Sequence, residues 1–518
     1  GGGGGPAAVA VPADFTLSFE RDDEAAAARA LEERRRRRRE ILRAHAAQTD
    51  APTVPDAAAR DPPSAAIKDS PTASEGSGEF ALAKGGRGGG QGVSAADYDP
   101  SADANADDVR HRAATAARAK RDEAAAAARP AENGAGDDTS DDDGFDMFAD
   151  NDDVVKASAG QGGVSAAAAM MADSWDDSEG YYRTIVGEAL GGRYVVQAFL
   201  GQGVFSSVVR ATDSQRQSAP VAIKIIRQNE VMRRAGIREQ QMLERLQEAD
   251  PADRMHVVRL LGSFAHRGHL CLCFELMSMN LREVVRKYGR DAGLSLQAVR
   301  VYGAHLLLAL DLLRRCGIVH GDVKPDNCFV SEQRNVARLG DLGSACDVGE
   351  GEITPYLVSR FYRAPEVILG LAYDCAVDMW SLGATLFELY TGRILFPGRD
   401  NNHMLQLMME ARGHIPNRML RRGQLWQRHF EDGGGSTMDF IARSTDPLSG
   451  AVTERRMVFG RPTLEIRPRV MQATPGAAPE DLLQAQRFAG LLERCLELSP
   501  ERRITPIDAL RHPFFSGK

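Results

Sequence analysis

Between His320 and Asn327 the chain reads His-Gly-Asp-Val-Lys-Pro-Asp-Asn, and Asp341-Leu342-Gly343 begins 14 positions after Asn327. Asp322 can face an incoming hydroxyl and take its proton, and Lys324 can neutralise a phosphoryl group in flight. Asn327 and Asp341 offer separate oxygen ligands for magnesium. A carboxylate, a cation and two metal-binding oxygens in this order meet the needs of phosphoryl transfer from a nucleotide to an alcohol. Four chemically required residues at this fixed spacing do not arise by chance on a solvent-facing loop. His320 is expected to be a packed histidine that supports the loop.

Such chemistry needs a phosphate-handling segment upstream. Gly201-Gln202-Gly203-Val204-Phe205-Ser206 provides glycines, whose missing β-carbon lets backbone amides approach phosphate oxygens. Ser206 departs from the usual third glycine, and the hexapeptide alone reads equally as a hairpin turn. Its setting favours the phosphate reading, because Val208 follows and Val221-Ala222-Ile223-Lys224 comes one strand later. Lys224 sits among β-branched residues on a strand, an odd place for a long cation unless it meets phosphate. Its carboxylate partner is expected on the helix 231–246. Glu239 is favoured there over Glu230 and Glu244 on helical geometry. The strand 269–276 leads out of this lobe, with Phe274 walling the adenine pocket and the backbone of Glu275 to Met277 hydrogen-bonding the base. The expected ATP site is thus Leu200, Gly201, Gln202, Gly203, Val204, Phe205, Ser206, Val208, Ala222, Lys224, Phe274, Glu275 and Met277.

The elements that must position these groups read as an α+β, two-lobed protein kinase fold. A small antiparallel β-sheet lobe with one helix spans 194–276, and a larger, mainly α-helical lobe spans 281–516. In VYGAHLLLALDLLRRCGIVH apolar residues recur at helical spacing up to the catalytic motif, so a buried helix carries that loop. Ala364-Pro365-Glu366 closes the activation segment, Asp378 to Gly383 begins a core helix, and Arg503 is placed to pair with Glu366.

Charge divides the 518 residues unevenly. Residues 1–180 carry 20 Lys plus Arg against 35 Asp plus Glu, whereas 181–518 carry 44 against 37. Residues 1–178, rich in Ala, Gly, Asp and Arg, lack the large apolar side chains for a core and are expected to be disordered. Within them, 22–47 and 106–128 could turn helical on a partner. The six arginines Arg34 to Arg39 read either as a solvated helix face or as a nuclear-import or RNA-contact patch. The acidic block 137–153 embeds Phe145, Met147 and Phe148, fitting a solubilising tract or a dock on a basic groove, and Ser140 within it suits an acid-directed kinase. Seven scattered cysteines without zinc-type spacing, and no evident signal peptide, point to a reduced, intracellular compartment. No run of 18 apolar residues exists to span a bilayer, so no membrane partner is expected. No sequence-specific nucleic-acid site is evident. The chain begins with Gly1, as a fragment would.

The segment Thr354-Pro355-Tyr356-Leu357-Val358-Ser359-Arg360-Phe361-Tyr362-Arg363-Ala364-Pro365-Glu366 narrows the reading. Arg363 ahead of Ala-Pro-Glu resembles the CMGC group, and Tyr356 with SRFYRAPE resembles the dual-specificity tyrosine-regulated kinases. Together with DSWDDSEGYYRTIVGEALGGRYVV, SMNLREVVRKYG, HGDVKPDN and LFPGRDNNHMLQLM, residues 174–515 closely resemble the spliceosomal pre-mRNA processing factor four kinase family. That resemblance implies a nuclear serine/threonine kinase, monomeric in its kinase domain. It would use ATP and magnesium, phosphorylate splicing factors and associate with spliceosomal ribonucleoprotein. It also implies that Tyr356 is autophosphorylated, with Arg360 and Arg363 receiving the phosphate. Gly321 stands where many kinases place a phosphate-sensing arginine, which leaves Tyr356 as the control point. Leu342 replaces the phenylalanine of the usual Asp-Phe-Gly, and Ser359 lies where relatives use a hydroxyl to bridge Asp322 and Lys324. Residues 412–485 resemble the group's insert. The competing readings are a tyrosine-regulated kinase with other substrates, cytoplasmic or nuclear, and a pseudokinase scaffold, against which the complete catalytic set argues.

Overall fold

The computed structural model describes residues 175–289, 292–350, 358–434, 438–445, 452–474 and 478–517. The readings of the N-terminal region up to 174, including its helices, arginine run and acidic block, lie outside these residues, as does Tyr356.

The small lobe is a six-stranded antiparallel sheet of β1 (Ala189–Leu190), β2 (Tyr194–Gln202), β3 (Ser206–Asp213), β4 (Ala219–Ile226), β5 (Leu260–His266) and β6 (His269–Glu275), in the order β1-β2-β3-β4-β6-β5. Alternation sets its two faces. Val196, Val209, Ala211, Val221, Ile223, Cys271 and Cys273 bury one side with Leu190 and Tyr194. Between β4 and β5 runs α1 (Glu230–Ala249), started by Asn229, whose side chain accepts from the amides of Val231 and Met232. Met242, Leu243 and Leu246 seat its inner face, and Glu239 is buried on that same face.

The folded structure starts upstream of the expected boundary at Tyr194. Trp175 and Tyr182 pack on the core of the small lobe, and β1 adds an edge strand ahead of β2. A two-residue strand and isolated aromatic contacts leave no periodic trace, so the strand pattern first shows at Tyr194.

The large lobe begins with β7 (Met279–Asn280) and α2 (Leu281–Tyr288), where Asn280 and Glu283 form a reciprocal capping box. Its centre is α3 (Leu296–Arg315), with Leu306, Leu307, Leu310 and Leu313 among its buried residues. This helix is long and apolar enough to cross a membrane by length and composition alone, yet most of it is buried inside the protein. Short strands follow: β8 (Ile318–Val319), β9 (Cys328–Val330), β10 (Ala337–Leu339) and β11 (Cys346–Asp347). Next come α4 (Pro365–Ile368) and α5 (Ala376–Thr391); every residue of α5 from Val377 on is buried, as befits a helix that is apolar on all sides. In the region expected as the insert, a three-stranded sheet of β12 (Phe430–Asp432), β13 (Met438–Thr445) and β14 (Val452–Met457) packs Phe430 against Phe440. All seven cysteines are free.

Candidate active site

The register of the small sheet builds the upper wall. Val208 pairs with Lys224, and Ala222 pairs with Phe274, so all four project from one face. Gly201 pairs with Val208 and stands above them. A β-carbon added at Gly201 or Gly203 would meet no atom within 4 Å. Nothing in the folded chain therefore requires glycine there, whereas a close-lying phosphate does. Leu200, Val204 and Phe205 are exposed at this edge, Gln202 is also exposed, and Ser206 is buried. At the strand exit the Glu275 amide is taken by the Arg259 carbonyl, and its carboxylate accepts from the Arg259 amide. The backbone of Met277, expected to meet the base, has no hydrogen-bond partner among the described residues.

Lys224 reaches three carboxylate oxygens. Its ammonium lies 2.8 Å from both oxygens of Glu239 and 2.7 Å from Oδ1 of Asp341. Of the three acidic candidates on α1, only Glu239 meets the lysine. Glu230 is exposed beside Arg234, and Glu244 is bonded to Gln240. Burial works against the charge of Lys224, but Asp341 and Glu239 overcome it and raise its pKa. Desolvation within the cleft pushes the Asp341 carboxyl up although part of it still faces solvent, yet the adjacent ammonium prevails and lowers it to about 2. Asp341 adopts φ +60°, an uncommon conformation for a residue with a side chain. Leu342 beside it is fully enclosed.

The lower wall is the loop between β8 and β9. Lys324 Nζ lies 2.8 Å from Asp322 Oδ2 and donates to Ser359 Oγ at 2.9 Å, while Ser359 Oγ donates to Asp322 Oδ1 at 2.8 Å. The Asn327 amide nitrogen donates to the backbone carbonyl of Asp322 and to its Oδ2, at 2.9 and 3.0 Å. That fixes the amide so that its oxygen stays open. The Asn327 oxygen and the half-exposed Asp341 carboxylate are hard-oxygen donors of the kind a divalent metal takes. Bound there, the metal would offset the negative charge of the nucleotide phosphates.

Buried groups hold the loop. His320 is fully enclosed, its Nδ1 accepting from the Asp322 amide and its Nε2 donating to the Gly340 carbonyl. Asp378 on α5 accepts from the amides of His320 at 2.8 Å and Gly321 at 3.0 Å. Burial raises the Asp378 carboxyl against the pull of these donors. Gly321 has φ +74°, a conformation that favours glycine, so its presence also serves the turn. Sequence reasoning reads Asp378 as a buried, paired anchor at the start of a core helix but misses that its partners are the amides of the catalytic loop. Arg282 on α2 was also missed; it binds Asp326, Glu388 and the Tyr362 hydroxyl, tying the catalytic loop to the activation segment.

Beyond Ser359, Arg363 is fully buried. Its Nε and Nη2 donate to the Val358 carbonyl, and its Nη1 donates to Asn401. Val358 adopts φ +69°, a conformation that is strained for a β-branched residue. Arg360 is partly exposed and donates to the Arg399 carbonyl. Glu366 pairs with Arg503 at 2.6 and 2.9 Å, both side chains fully buried.

A sheet-and-one-helix lobe that holds a lysine–glutamate pair over an Asp-Lys-Asn loop on a helical lobe defines a protein kinase. Residues 194–515 match the family model described as protein kinase domain. Serine/threonine-protein kinase prp4 of Schizosaccharomyces pombe is 48% identical over 377 residues, covering 72% of this chain and 78% of that protein. Serine/threonine-protein kinase prpf4B of Dictyostelium discoideum is 39% identical over 71% of this chain and 47% of its own length, so the chain spans about half of that relative. The dual specificity tyrosine-phosphorylation-regulated kinase 3 of Rattus norvegicus is 34% identical over 66% of this chain and 57% of its own length. The chain belongs to the protein kinases, as a serine/threonine kinase of the Prp4 family. Binding of ATP and a divalent metal comes with that membership.

Proposed function

We propose that this kinase transfers the γ-phosphate of magnesium-bound ATP to serine and threonine residues of nuclear pre-mRNA splicing factors. The observation that carries the catalytic part is the Lys324–Ser359–Asp322 cluster beside Asn327, which orients a carboxylate and a cation toward one point in the cleft. Asp322 accepts the proton of the incoming hydroxyl, Lys324 steadies the charge on the transferring group, and Lys224 holds the nucleotide phosphates. Asn327 and Asp341 would hold the magnesium. The resemblance of residues 174–515 to the splicing kinases supports the choice of substrates, the nuclear location and an association with spliceosomal particles. Co-purification tests this part. Recovery of the kinase with spliceosomal ribonucleoprotein, and loss of splicing-factor phosphosites on acute inhibition, are expected; phosphosites that are unchanged would refute it.

Substrates with proline after the acceptor residue fit the segment at Val358. Its carbonyl is taken by the Arg363 guanidinium, so it is not offered to the amide of the following substrate residue, and proline lacks that amide. Tyr356 is phosphorylated by the kinase itself, adding about −1.5 to −2 charges that Arg360 and Arg363 receive. Peptide mapping of wild type against Asp322→Asn tests this: phosphate at Tyr356 in the wild type alone is expected, and equal phosphate in both would rule it out.

A further inference from the structure

The tip of the glycine loop is held from outside the sheet. The Tyr181 hydroxyl donates to the carbonyls of Gly203 at 2.9 Å and Val204 at 3.0 Å. The amide of Arg227 donates to the carbonyl of the next residue, Phe205, at 3.0 Å. Three successive carbonyls of the tip are thereby fixed; the Gly203 amide donates to the Ser206 carbonyl at 2.9 Å, and the amides of Val204 and Phe205 have no backbone acceptor among the described residues. Tyr181 belongs to the segment ahead of β1, and it is buried although it lies in no regular element of appreciable length. Its ring packs under the Arg227 guanidinium, with the central carbon 4.8 Å from the ring centre, and the arginine also donates to the Glu179 carbonyl. The Gln228 amide donates to the Gly180 carbonyl at 2.8 Å, and Asn229 immediately after it caps α1, the helix that carries Glu239. His269 closes the arm from the other side, contacting Asp176 at 2.9 Å and the Ile226 carbonyl at 2.7 Å. Glycine loop, arm and helix start are therefore one hydrogen-bonded unit.

We propose that Tyr181 is a positioning residue for ATP, acting through the glycine loop. With both loop glycines free of steric demand, the chain's own preference for the bound loop shape is weak. The hydroxyl of Tyr181 supplies the missing restraint, so that the loop amides meet the nucleotide phosphates without first being ordered. Removing it leaves the transferring chemistry intact, because Tyr181 touches none of Asp322, Lys324 or Asn327, and weakens nucleotide capture.

The test is steady-state kinetics on the full 518-residue chain carrying Tyr181→Phe. Loss of this hydroxyl is expected to raise KM for ATP ~3- to 10-fold, with kcat within about twofold of wild type and an unchanged melting temperature. The neighbouring Tyr182 provides the control, since its hydroxyl binds Glu188, His266 and Arg267 and does not touch the loop. Tyr182→Phe is expected to leave KM for ATP at the wild-type value. An unchanged KM in Tyr181→Phe overturns the proposal. So does a parallel fall in kcat and melting temperature, or an equal rise of KM in Tyr182→Phe, since either would mark the arm as merely stabilising. The inference rests on the reading of Gly201 to Ser206 as the phosphate loop, which Gly203→Val tests separately; a wild-type KM for ATP in that variant would remove the loop reading itself.

Discussion

Ser359→Ala isolates the part of the site that positions without reacting. Ser359 Oγ donates to Asp322 Oδ1 at 2.8 Å and accepts from Lys324 Nζ at 2.9 Å, so alanine deletes two hydrogen bonds to charged groups at once. A hydrogen bond to a charged partner contributes ~1.5–3 kcal/mol, but the Ser359 amide still donates to Asp322 Oδ1 at 3.2 Å, and Lys324 keeps its direct contact with Asp322. The net loss should therefore fall near the bottom of one bond's range, about 2 kcal/mol, which lowers kcat ~30-fold. KM for ATP should hold, because the nucleotide-side lysine keeps its contacts with Glu239 and Asp341. Ser359→Thr, which retains the hydroxyl, should recover most of the rate. The assay is peptide phosphorylation at saturating ATP, with Asp322→Asn and the double variant in parallel. Asp322→Asn should lose ~10²- to 10⁴-fold in kcat, and adding Ser359→Ala to it should cost almost nothing more, because the serine acts through the aspartate. A single Ser359→Ala variant within threefold of wild type, or losses that multiply in the double variant, would refute this reasoning.

The Glu366–Arg503 pair is fully buried, so Glu366→Ala should cost ~3–5 kcal/mol of unfolding free energy by urea titration, and replacing both partners by Leu and Met should restore a large part of it. Glu239→Gln removes one of the two carboxylates at Lys224 and should lower kcat/KM for ATP ~10- to 150-fold in steady-state kinetics, with a lower melting temperature because the pair is buried. Asp341 titrates at about 2 in the folded chain against 3.8 for the ordinary group, so its ionised form adds stability that is complete above about pH 4 and lost as pH falls toward 2. The stability difference between wild type and Asp341→Asn should accordingly shrink across that interval in denaturation measured at stepped pH; a difference independent of pH would contradict the pairing with Lys224.

The residues that sequence reasoning could place share a physical property: their partners are set by a period. Lys224 and Val208 share a sheet face because strands alternate, and Glu239 turns inward because Met242, Leu243 and Leu246 lie on the same helical stripe. The buried helix that carries the catalytic loop was legible for the same reason, its apolar residues recurring at helical spacing up to the motif. The supports of the site lack that property. Asp378 accepts from His320 across 58 positions, and Arg282 meets Glu388 across 106, distances over which only the packing of α2, α3 and α5 decides who meets whom. The arm is the extreme case. Its residues form no helix and only a two-residue strand, and Tyr181 finds its acceptors 22 and 23 positions away, on carbonyls that any residue type would present. A backbone acceptor leaves no mark in the sequence, so a side chain that acts on backbone becomes visible only once the turn that presents those carbonyls is known. The conformation of Val358 is hidden in the same way: a valine at φ +69° contradicts its own preference, and Arg363, five positions on, is what holds the strained carbonyl.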